Sequence, residues 1–342
     1  MIIDVSIVVP IYNTDLRRLK NCIESIRELI KISTCSIECL LIDDGSERTI
    51  EDFCKDYTDD KIKYFRKAYG GAGSARNYGI NKALGSRIMF VDSDDEIIPS
   101  ASLELLTYDS YDIVFSDLEV VRKTNTTSVW RAFLSESGDK SHIEVLKRIA
   151  ESGKLNGPVC KLIKRDFLIQ NDISFPENMI TGEDAYFLYR MLAYNPGMHY
   201  CKKITYRYYY DESETGLDRL INHTDNFLDC NKVLLKEYVL LIDKHNIDDS
   251  LSEQMLSAYI SNYIKHMFNS MLGLSKARML TLSVRNKIRE SGRVANDVGN
   301  TSIKYSWFTK LRIKITDGCP LFIIYSIALI RRCYLYFKSR LR

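Results

Sequence analysis

Short apolar runs alternate with amphipathic segments through the first third of the sequence. The runs cover residues 5–9, 37–42, 62–65, 88–91 and 113–115, and they are rich in β-branched side chains. Such runs are typical of strands that are buried in a parallel sheet. Between the first two runs, apolar residues recur every three or four positions, which predicts an amphipathic helix. Because strand and helix patterns alternate, we expect a doubly wound α/β sheet with helices on both faces.

The later sequence loses this alternation. From about residue 155 to 210 the pattern predicts shorter helices and includes an aromatic segment, Tyr206–Tyr210. Residues 220–295 show helical periodicity throughout. We therefore predict an α/β domain over residues 1–215 and an all-helical C-terminal module over residues 216–342.

Composition restricts the class of protein further. With 342 residues, of which 45% are hydrophobic and 27% charged, the chain can bury the core of one large domain plus an appendage. A formal net charge of +3 is too small to indicate a nucleic-acid partner. The nine cysteines are scattered without metal-ligand spacing, which indicates reduced thiols. The N-terminal segment has no basic leader, and no apolar run approaches the roughly 20 residues that span a bilayer. These features predict a cytoplasmic protein.

Polar residues follow four of the predicted strands. In open α/β sheets, ligands bind beyond the carboxyl ends of the strands, so these residues are expected to meet in one crevice. The four segments, in chain order, are Pro10–Asn13, Asp43–Ser46, Gly70–Asn77 and Asp92–Asp95.

The carboxylates of the last segment suit a hard divalent cation. Mn²⁺ and Mg²⁺ take oxygen ligands, commonly one or two carboxylates together with phosphate oxygens. The glycines between Gly70 and Gly73 could expose backbone amides to the same phosphates. A dinucleotide site of the Rossmann type would need a glycine at Arg76 and a glycine cluster after the first strand, so we do not favour it. An arginine at that position can instead pair with a phosphate or a base carbonyl.

Four segments resemble family-2 glycosyltransferases of the GT-A fold. They are VSIVVPIYN, LLIDDGS, GGAGSARNYGI and MFVDSDDEI, and together they span roughly residues 4–100. Asn156–Leu162 is similar to the family's strand before the acceptor side, and Thr181–Asp184 is similar to its Glu-Asp pair. The resemblance implies a GT-A type mixed sheet and an inverting transfer from a nucleotide diphosphate sugar, for which we expect a UDP-sugar.

The resemblance also implies roles for individual residues. Tyr12 would stack on the base, Asp44 would accept a base N–H, and Asp184 would be the general base. We assign the donor site to Pro10, Tyr12, Asn13, Asp44, Gly73, Arg76, Asp92 and Ser93. Alternatively, Asp184 has no catalytic role and is an acidic residue in the first turn of a helix, where the helix dipole favours its ionised form.

Spacing then separates the three aspartates. If the segment is extended, Asp92 and Asp94 lie about 6.6 Å apart along the strand. That separation is too large for both to bind one ion at roughly 2.1 Å. We therefore assign Asp94 to the metal and Asp92 to the ribose or a metal-bound water, and we keep Asp95 as the competing metal ligand.

Residues 304–342 form a basic and aromatic tail. This segment contains nine lysines or arginines against one acid, Asp317, with aromatic residues between them. Such a pattern is typical of a helix that lies on an anionic membrane surface, although the tail could instead pack on the catalytic domain. On the membrane hypothesis, the protein is peripheral on the inner face of the cell membrane and its acceptor is a lipid-linked glycan. The resemblance to capsule and O-antigen transferases implies the same kind of acceptor.

Two other functions stay open on the sequence alone. A nucleotidyltransferase shares this sheet architecture, but it would need a glycine-rich signature with Arg and Lys where Tyr12 and Asn13 stand. A non-catalytic carbohydrate-binding protein with a decayed site is the other, and the retention of the acidic residues counts against it.

Overall fold

The computed structural model describes residues 3–124, 126–177, 179, 181–210, 224–248, 250–252, 254–256 and 258–259. Two compact units are distinguished along the chain. The first comprises Met1–Val145, Lys154–Asn178 and Glu183–Glu212, and the second comprises Leu146–Gly153, Met179–Gly182 and Ser213–Arg342. The predicted boundary at residue 215 and the basic tail both lie outside the described residues.

The first unit contains a mixed sheet with ten described strands. They are β1 (Val5–Ile11), β2 (Ile37–Asp43), β3 (Ile62–Arg66), β4 (Arg87–Phe90), β5 (Glu96–Ile97), β6 (Ile113–Arg122), β7 (Thr127–Trp130), β8 (Gly138–Asp139), β9 (Lys161–Lys164) and β10 (Met198–Tyr210). The order is β3-β2-β1-β4-β9-β6-β10-β5, with β7 added to β6 and β8 added to β10. All five predicted strands are present, as β1 to β4 and β6.

Strand directions divide this sheet into two parts. Strands β1 to β4 are parallel to one another, as the buried apolar runs predicted. β9 runs antiparallel to both of its neighbours, β4 and β6, whereas β6 and β10 are parallel. The carboxyl ends of β1, β2, β4, β6 and β10 therefore point to the same edge of the sheet, where a ligand is expected.

Eight helices are described. They are α1 (Leu16–Ile32), α2 (Arg48–Asp56), α3 (Ala72–Lys82), α4 (Pro99–Leu105), α5 (His142–Ser152), α6 (Arg165–Gln170), α7 (Glu183–Leu192) and α8 (Thr224–Lys244). Local sequence signals determine where α1 begins and which face it buries. Asp15 caps the helix by accepting from the Arg18 backbone N–H, and the apolar side chains of the helix are buried on the sheet. None of the described helices has the length and apolar content needed to cross a membrane.

The prediction of shorter helices for residues 155–210 was wrong in part. α6 and α7 are present, but β9 and the thirteen-residue strand β10 lie in the same region. The aromatic segment Tyr206–Tyr210 is the end of β10 and pairs in register with β6. Aromatic residues favour strands because their rings pack on the pleated surface, and here both faces are used. The apolar and polar alternation that usually indicates a strand is therefore missing from the sequence.

Close packing of α3 on β1 depends on Gly79. A Cβ added at this position would overlap the side chain of Val8, which is fully buried in β1. Glycine thus lets the helix backbone approach the strand directly. The same helix carries Arg76, one turn earlier, so the packing of α3 determines where that side chain lies.

We predict that Gly79→Val destabilises the protein by about 1–3 kcal/mol, because the added atoms overpack the core against Val8. The matched control is Gly157→Ala, since the nearest atom to a Cβ at that glycine is 4.0 Å away. The free energies of unfolding of both variants can be measured by denaturant titration. Equal stability of the two variants would contradict close packing at Gly79.

Candidate active site

Hydrogen bonds join the loops that follow β1, β2 and β4. The backbone N–H of Asn13 donates to Ser46 Oγ at 3.0 Å, and the backbone N–H of Glu47 donates to Asn13 Oδ1 at 2.8 Å. The hydroxyls of Thr14 and Ser93 are 2.6 Å apart and share a hydrogen bond. Three of the four predicted strand ends are therefore held together by side chains, with Asn13 and Ser93 serving as links between loops.

The carboxylate of Asp44 holds the fourth segment. It accepts from Lys67 Nζ at 2.6 Å, from the Gly70 backbone N–H at 3.0 Å and from the Gly71 backbone N–H at 2.6 Å. Asp44 is buried at the end of β2, so these bonds fix the glycine loop against the strand. An ionised carboxylate accepts about four hydrogen bonds. Three donors therefore leave about one acceptor position on Asp44, to which a nucleobase N–H could donate.

Two exposed tyrosines lie beside this loop. Tyr12 is 52% exposed and Tyr69 is 66% exposed, and their ring centroids are 4.7 Å apart. Gly45 allows the approach, because a Cβ there would come within 3.1 Å of the Tyr69 backbone nitrogen. Pro10 is buried in β1, opposite Ile42. Tyr12 thus presents an aromatic surface to solvent, as a base-stacking residue must. Its pairing with Tyr69 could not be predicted, because no local pattern connects residues 57 positions apart.

Arg76 forms ion pairs with two carboxylates from separate parts of the chain. Its Nη2 donates to Asp92 Oδ1 at 2.8 Å, and its Nη1 donates to Asp184 Oδ1 at 2.9 Å. The guanidinium is buried and lies over the ring of Phe175. Burial alone would lower the pKa of Arg76, but the charges of Asp184 and Asp92 outweigh it and raise that pKa. The arginine therefore stays charged and joins the acidic segment after β4 to α7.

Asp184 is the second residue of α7 and lies half-buried at this junction. Desolvation raises the pKa of the Asp184 carboxyl to about 7, with Arg76 opposing the rise and the charges of Glu183 and Asp92 adding to it. A carboxylate with a pKa near the working pH is suited to general-base catalysis, because it can both accept and release a proton.

The three aspartates after β4 have different surroundings. Asp92 pairs with Arg76, whereas the side chain of Asp94 is 42% exposed and lies 3.7 Å from Arg18 Nη1. Asp95 is fully buried, and its two oxygens accept from the Tyr206 hydroxyl and the Tyr209 backbone N–H, each at 2.8 Å. Burial, followed by the charges of Asp92 and Asp94, raises the pKa of Asp95 well above its usual range.

These surroundings bear on the predicted metal site. Both oxygens of Asp95 are used to hold β10, which argues against Asp95 as the competing metal ligand and favours Asp94. Among the described residues, no group of three or more His, Cys, Asp or Glu side chains is arranged to hold a metal ion. A cation here would depend on Asp94 and on oxygens from its substrate, which is the usual way in which Mg²⁺ is bound.

Two residues near Arg76 have roles that the sequence did not indicate. A Cβ on Gly73 would come within 3.1 Å of the Phe175 Cβ, so this glycine allows α3 to pack closely beside the site. Lys161 is buried at the start of β9 and donates to the Gly157 carbonyl. Desolvation lowers the pKa of Lys161 to about 8, and the charge of Asp184 is among those that oppose this change. The sequence around Lys161 contains no pattern that would predict its proximity to Asp184.

Comparisons with known proteins identify relatives of this chain. Residues 6–170 match the family model described as "Glycosyl transferase family 2". The chain is 29% identical over 215 residues to a putative glycosyltransferase, EpsH, of Bacillus subtilis, and this match covers 60% of each chain. It is 26% identical over 268 residues to the minor teichoic acid biosynthesis protein GgaB of Bacillus subtilis, which covers 77% of this chain but 28% of that protein. The chain thus spans well under two thirds of GgaB.

Solved structures show the same fold. The crystal structure of residues 1–349 of Staphylococcus aureus TarS in complex with UDP-GlcNAc superposes with a TM-score of 0.70 at 18% identity, covering 95% of this chain and 90% of that one. The structure of the same protein in complex with UDP gives a TM-score of 0.68 at 17% identity. The mixed α/β sheet is therefore of the GT-A type. Together with the family match over residues 6–170, this shows that the α/β domain is similar to family-2 glycosyltransferases in sequence and to TarS in fold.

We predict that the catalytic rate falls about tenfold per pH unit below pH 7, because protonation of Asp184 removes the base. Arg76 lowers the pKa of Asp184, so Arg76→Gln should move this fall to higher pH. Release of nucleoside diphosphate from saturating sugar donor, followed from pH 5 to 9, measures both effects. Asp184→Asn should abolish the rate while donor binding persists. An unchanged pH profile in Arg76→Gln would contradict the coupling.

Proposed function

We propose that this chain transfers a sugar from a UDP-linked donor to a hydroxyl group of a glycan or lipid-linked glycan, with inversion at the anomeric carbon. The observation that carries the proposal is the pairing of Arg76 with both Asp92 and Asp184. Through these ion pairs, the buried Arg76 guanidinium holds Asp92, on the donor side, close to Asp184, the candidate base. The UDP and UDP-GlcNAc complexes of TarS support the choice of donor, and the name of GgaB supports a cell-surface polymer as the acceptor.

In this mechanism, Asp184 accepts the proton of the acceptor hydroxyl as its oxygen attacks the anomeric carbon. The bond between that carbon and the diphosphate oxygen breaks in the same step, and its electron pair leaves with the diphosphate. A positioned carboxylate base contributes typically about 10²- to 10⁴-fold to such a rate. Arg76 keeps the Asp184 carboxylate oriented before the acceptor binds. The entropy cost of orienting the base is therefore smaller when the reaction begins.

The chain's own residues also account for binding of the donor. Tyr12 offers the exposed ring on which the base stacks. The backbone N–H groups of Gly70 and Gly71 donate to Asp44, so the glycine loop supports the Asp44 carboxylate and its amides do not face the phosphates as the sequence suggested. Asp94 is the residue that would hold Mn²⁺ or Mg²⁺, together with diphosphate oxygens. A cation there would neutralise charge on the leaving group without proton transfer.

We predict that UDP binds the full chain more tightly when Mn²⁺ is present, as measured by titration calorimetry. Asp94→Asn should abolish the effect of Mn²⁺ because it removes the metal-binding carboxylate. Asp95→Asn is the matched control, since its amide can remain hydrogen-bonded to Tyr206 and Tyr209. Equal UDP affinity with and without Mn²⁺ would overturn the metal proposal, and a loss of the Mn²⁺ effect in Asp95→Asn alone would transfer the role to Asp95.

The two other functions receive no support from a specific contact. A nucleotidyltransferase would need phosphate-binding glycines after β1, where the Tyr12 ring and the Asn13 loop contacts lie. For a non-catalytic carbohydrate-binding protein, neither the elevated pKa of Asp184 nor its pairing with Arg76 would be required.

We also propose that the basic tail, residues 304–342, binds the anionic inner surface of the cell membrane, where a lipid-linked acceptor would be located. Each cation near such a surface contributes about 1 kcal/mol. The full chain should float with liposomes that contain anionic lipid, and a chain that ends at residue 303 should not. Equal flotation of the two chains would exclude this role for the tail.

A further inference from the structure

Strands β7 and β10, which flank β6, carry aromatic side chains on one face of the sheet. Side chains alternate along a strand, so Tyr206, Tyr208 and Tyr210 of β10 share a face. Tyr206 lies opposite Leu118 of β6, and Leu118 lies opposite Trp130 of β7. Residues opposite each other in a ladder also point to the same side. Trp130 therefore belongs to the same face as the three tyrosines.

The rings of this face contact one another and are accessible to a ligand. The ring centroids of Trp130 and Tyr208 are 6.4 Å apart, and those of Tyr208 and Tyr210 are 6.3 Å apart. Trp130 is 38% exposed, while Tyr208 and Tyr210 are half-buried. Lys154 places its ammonium 5.5 Å from the centroid of the Trp130 ring, which adds a cation–π contact. We call Trp130, Tyr208 and Tyr210 the aromatic row.

This row begins at the acidic segment of the candidate active site. The Tyr206 hydroxyl donates to Asp95, and Tyr208 is the next residue on that face of β10. The pKa of Tyr208 is raised first by burial and then by the charges of Asp95, Asp94 and Asp92, which is consistent with their proximity. From Tyr206 to Tyr210, β10 runs toward the carboxyl edge of the sheet. The row therefore begins beside the acidic segment at the carboxyl edge of the sheet.

Strand order separates the row from the residues assigned to the nucleotide. Tyr12 and Asp44 follow β1 and β2, whereas the row lies on β7 and β10. In the sheet, β4, β9 and β6 lie between β1 and β10, and the acidic segment follows β4. In the proposed mode of binding, the base of the donor stacks on Tyr12 and its diphosphate lies at the acidic segment. The aromatic row is then free to bind the second substrate, the acceptor.

We propose that Trp130, Tyr208 and Tyr210 form the acceptor subsite and bind a pyranose ring of the acceptor glycan. A pyranose presents C–H groups on its faces and hydroxyls at its edge. Aromatic rings match the apolar faces, and the tyrosine hydroxyls can bond the polar edge. This inference rests on the proposed function, because it assumes that the adjacent crevice binds a nucleotide-sugar.

The test is saccharide binding by the full chain in the presence of UDP, on an array of immobilised oligosaccharides that contain N-acetylglucosamine, glucose or galactose. We expect the wild-type chain to retain at least one class. Trp130→Ala should lower that signal at least about fivefold, as the loss of an aromatic contact predicts. Trp130→Phe should keep most of it. Val129→Ala is the matched control, because Val129 is a neighbouring exposed residue of β7 on the opposite face.

UDP affinity of each variant, measured by calorimetry, separates this inference from the proposed function. Loss of saccharide binding in Trp130→Ala with unchanged UDP affinity and an unchanged melting temperature supports the acceptor subsite. Retained saccharide binding in Trp130→Ala, or a wild-type chain that binds UDP but no saccharide, overturns it. Equal loss of UDP and saccharide binding in Trp130→Ala also overturns it, because the row would then serve the donor. A wild-type chain that does not bind UDP contradicts the proposed function itself.

Discussion

The buried guanidinium of Arg76 is the interaction on which the candidate site depends. A buried charge is strongly unfavourable unless it is paired, and Arg76 is paired twice, with Asp92 and Asp184. Each carboxylate in turn depends on the arginine, since Asp92 is among the charges that raise the pKa of Asp184. Three ionised groups from α3, the loop after β4 and α7 are thus stable only as a set. In the proposed mechanism, this set holds the candidate base Asp184 and the donor-side acid Asp92 at a fixed separation before the substrates bind.

A second contact ties the acidic segment to the far half of the sheet. The Tyr206 hydroxyl accepts from the Asp92 backbone N–H at 3.0 Å and donates to Asp95. The loop that bears Asp94 is therefore fixed from beneath by a strand more than one hundred residues away in sequence. This contact gives Asp95 a structural role and leaves Asp94 at the surface of the crevice. Of these two neighbouring acids, Asp95 stabilises the loop and Asp94 is the candidate metal ligand.

The sequence predicted much of the parallel half of the fold, because buried β-branched runs and the helix pattern between them are strong local signals. It also identified the strand ends that meet at the crevice. Local signals failed at β10, where Tyr209 lies on the same face as Arg207 and bonds Glu96, so aromatic residues occupy both faces and polarity does not alternate. They also could not exclude Asp95 as the competing ligand beside Asp94, since the contacts that distinguish these two adjacent acids come from a distant strand. The proximity of Lys161 to Asp184 likewise arises from the sheet order, which no local pattern contains.

Gly79 links the hydrophobic core to the chemistry of the site. It lies one helical turn after Arg76 and is in direct contact with the buried strand β1, so α3 has no compressible layer beneath it. A shift of the helix by a fraction of an ångström would therefore move the Arg76 guanidinium by a similar distance. Its two ion pairs, both near 2.9 Å, would then be distorted. Substitutions in the core that leave the protein folded would therefore still misalign its charges. Substitutions beneath α3 are therefore restricted by the ion pairs of Arg76 as well as by the stability of the core.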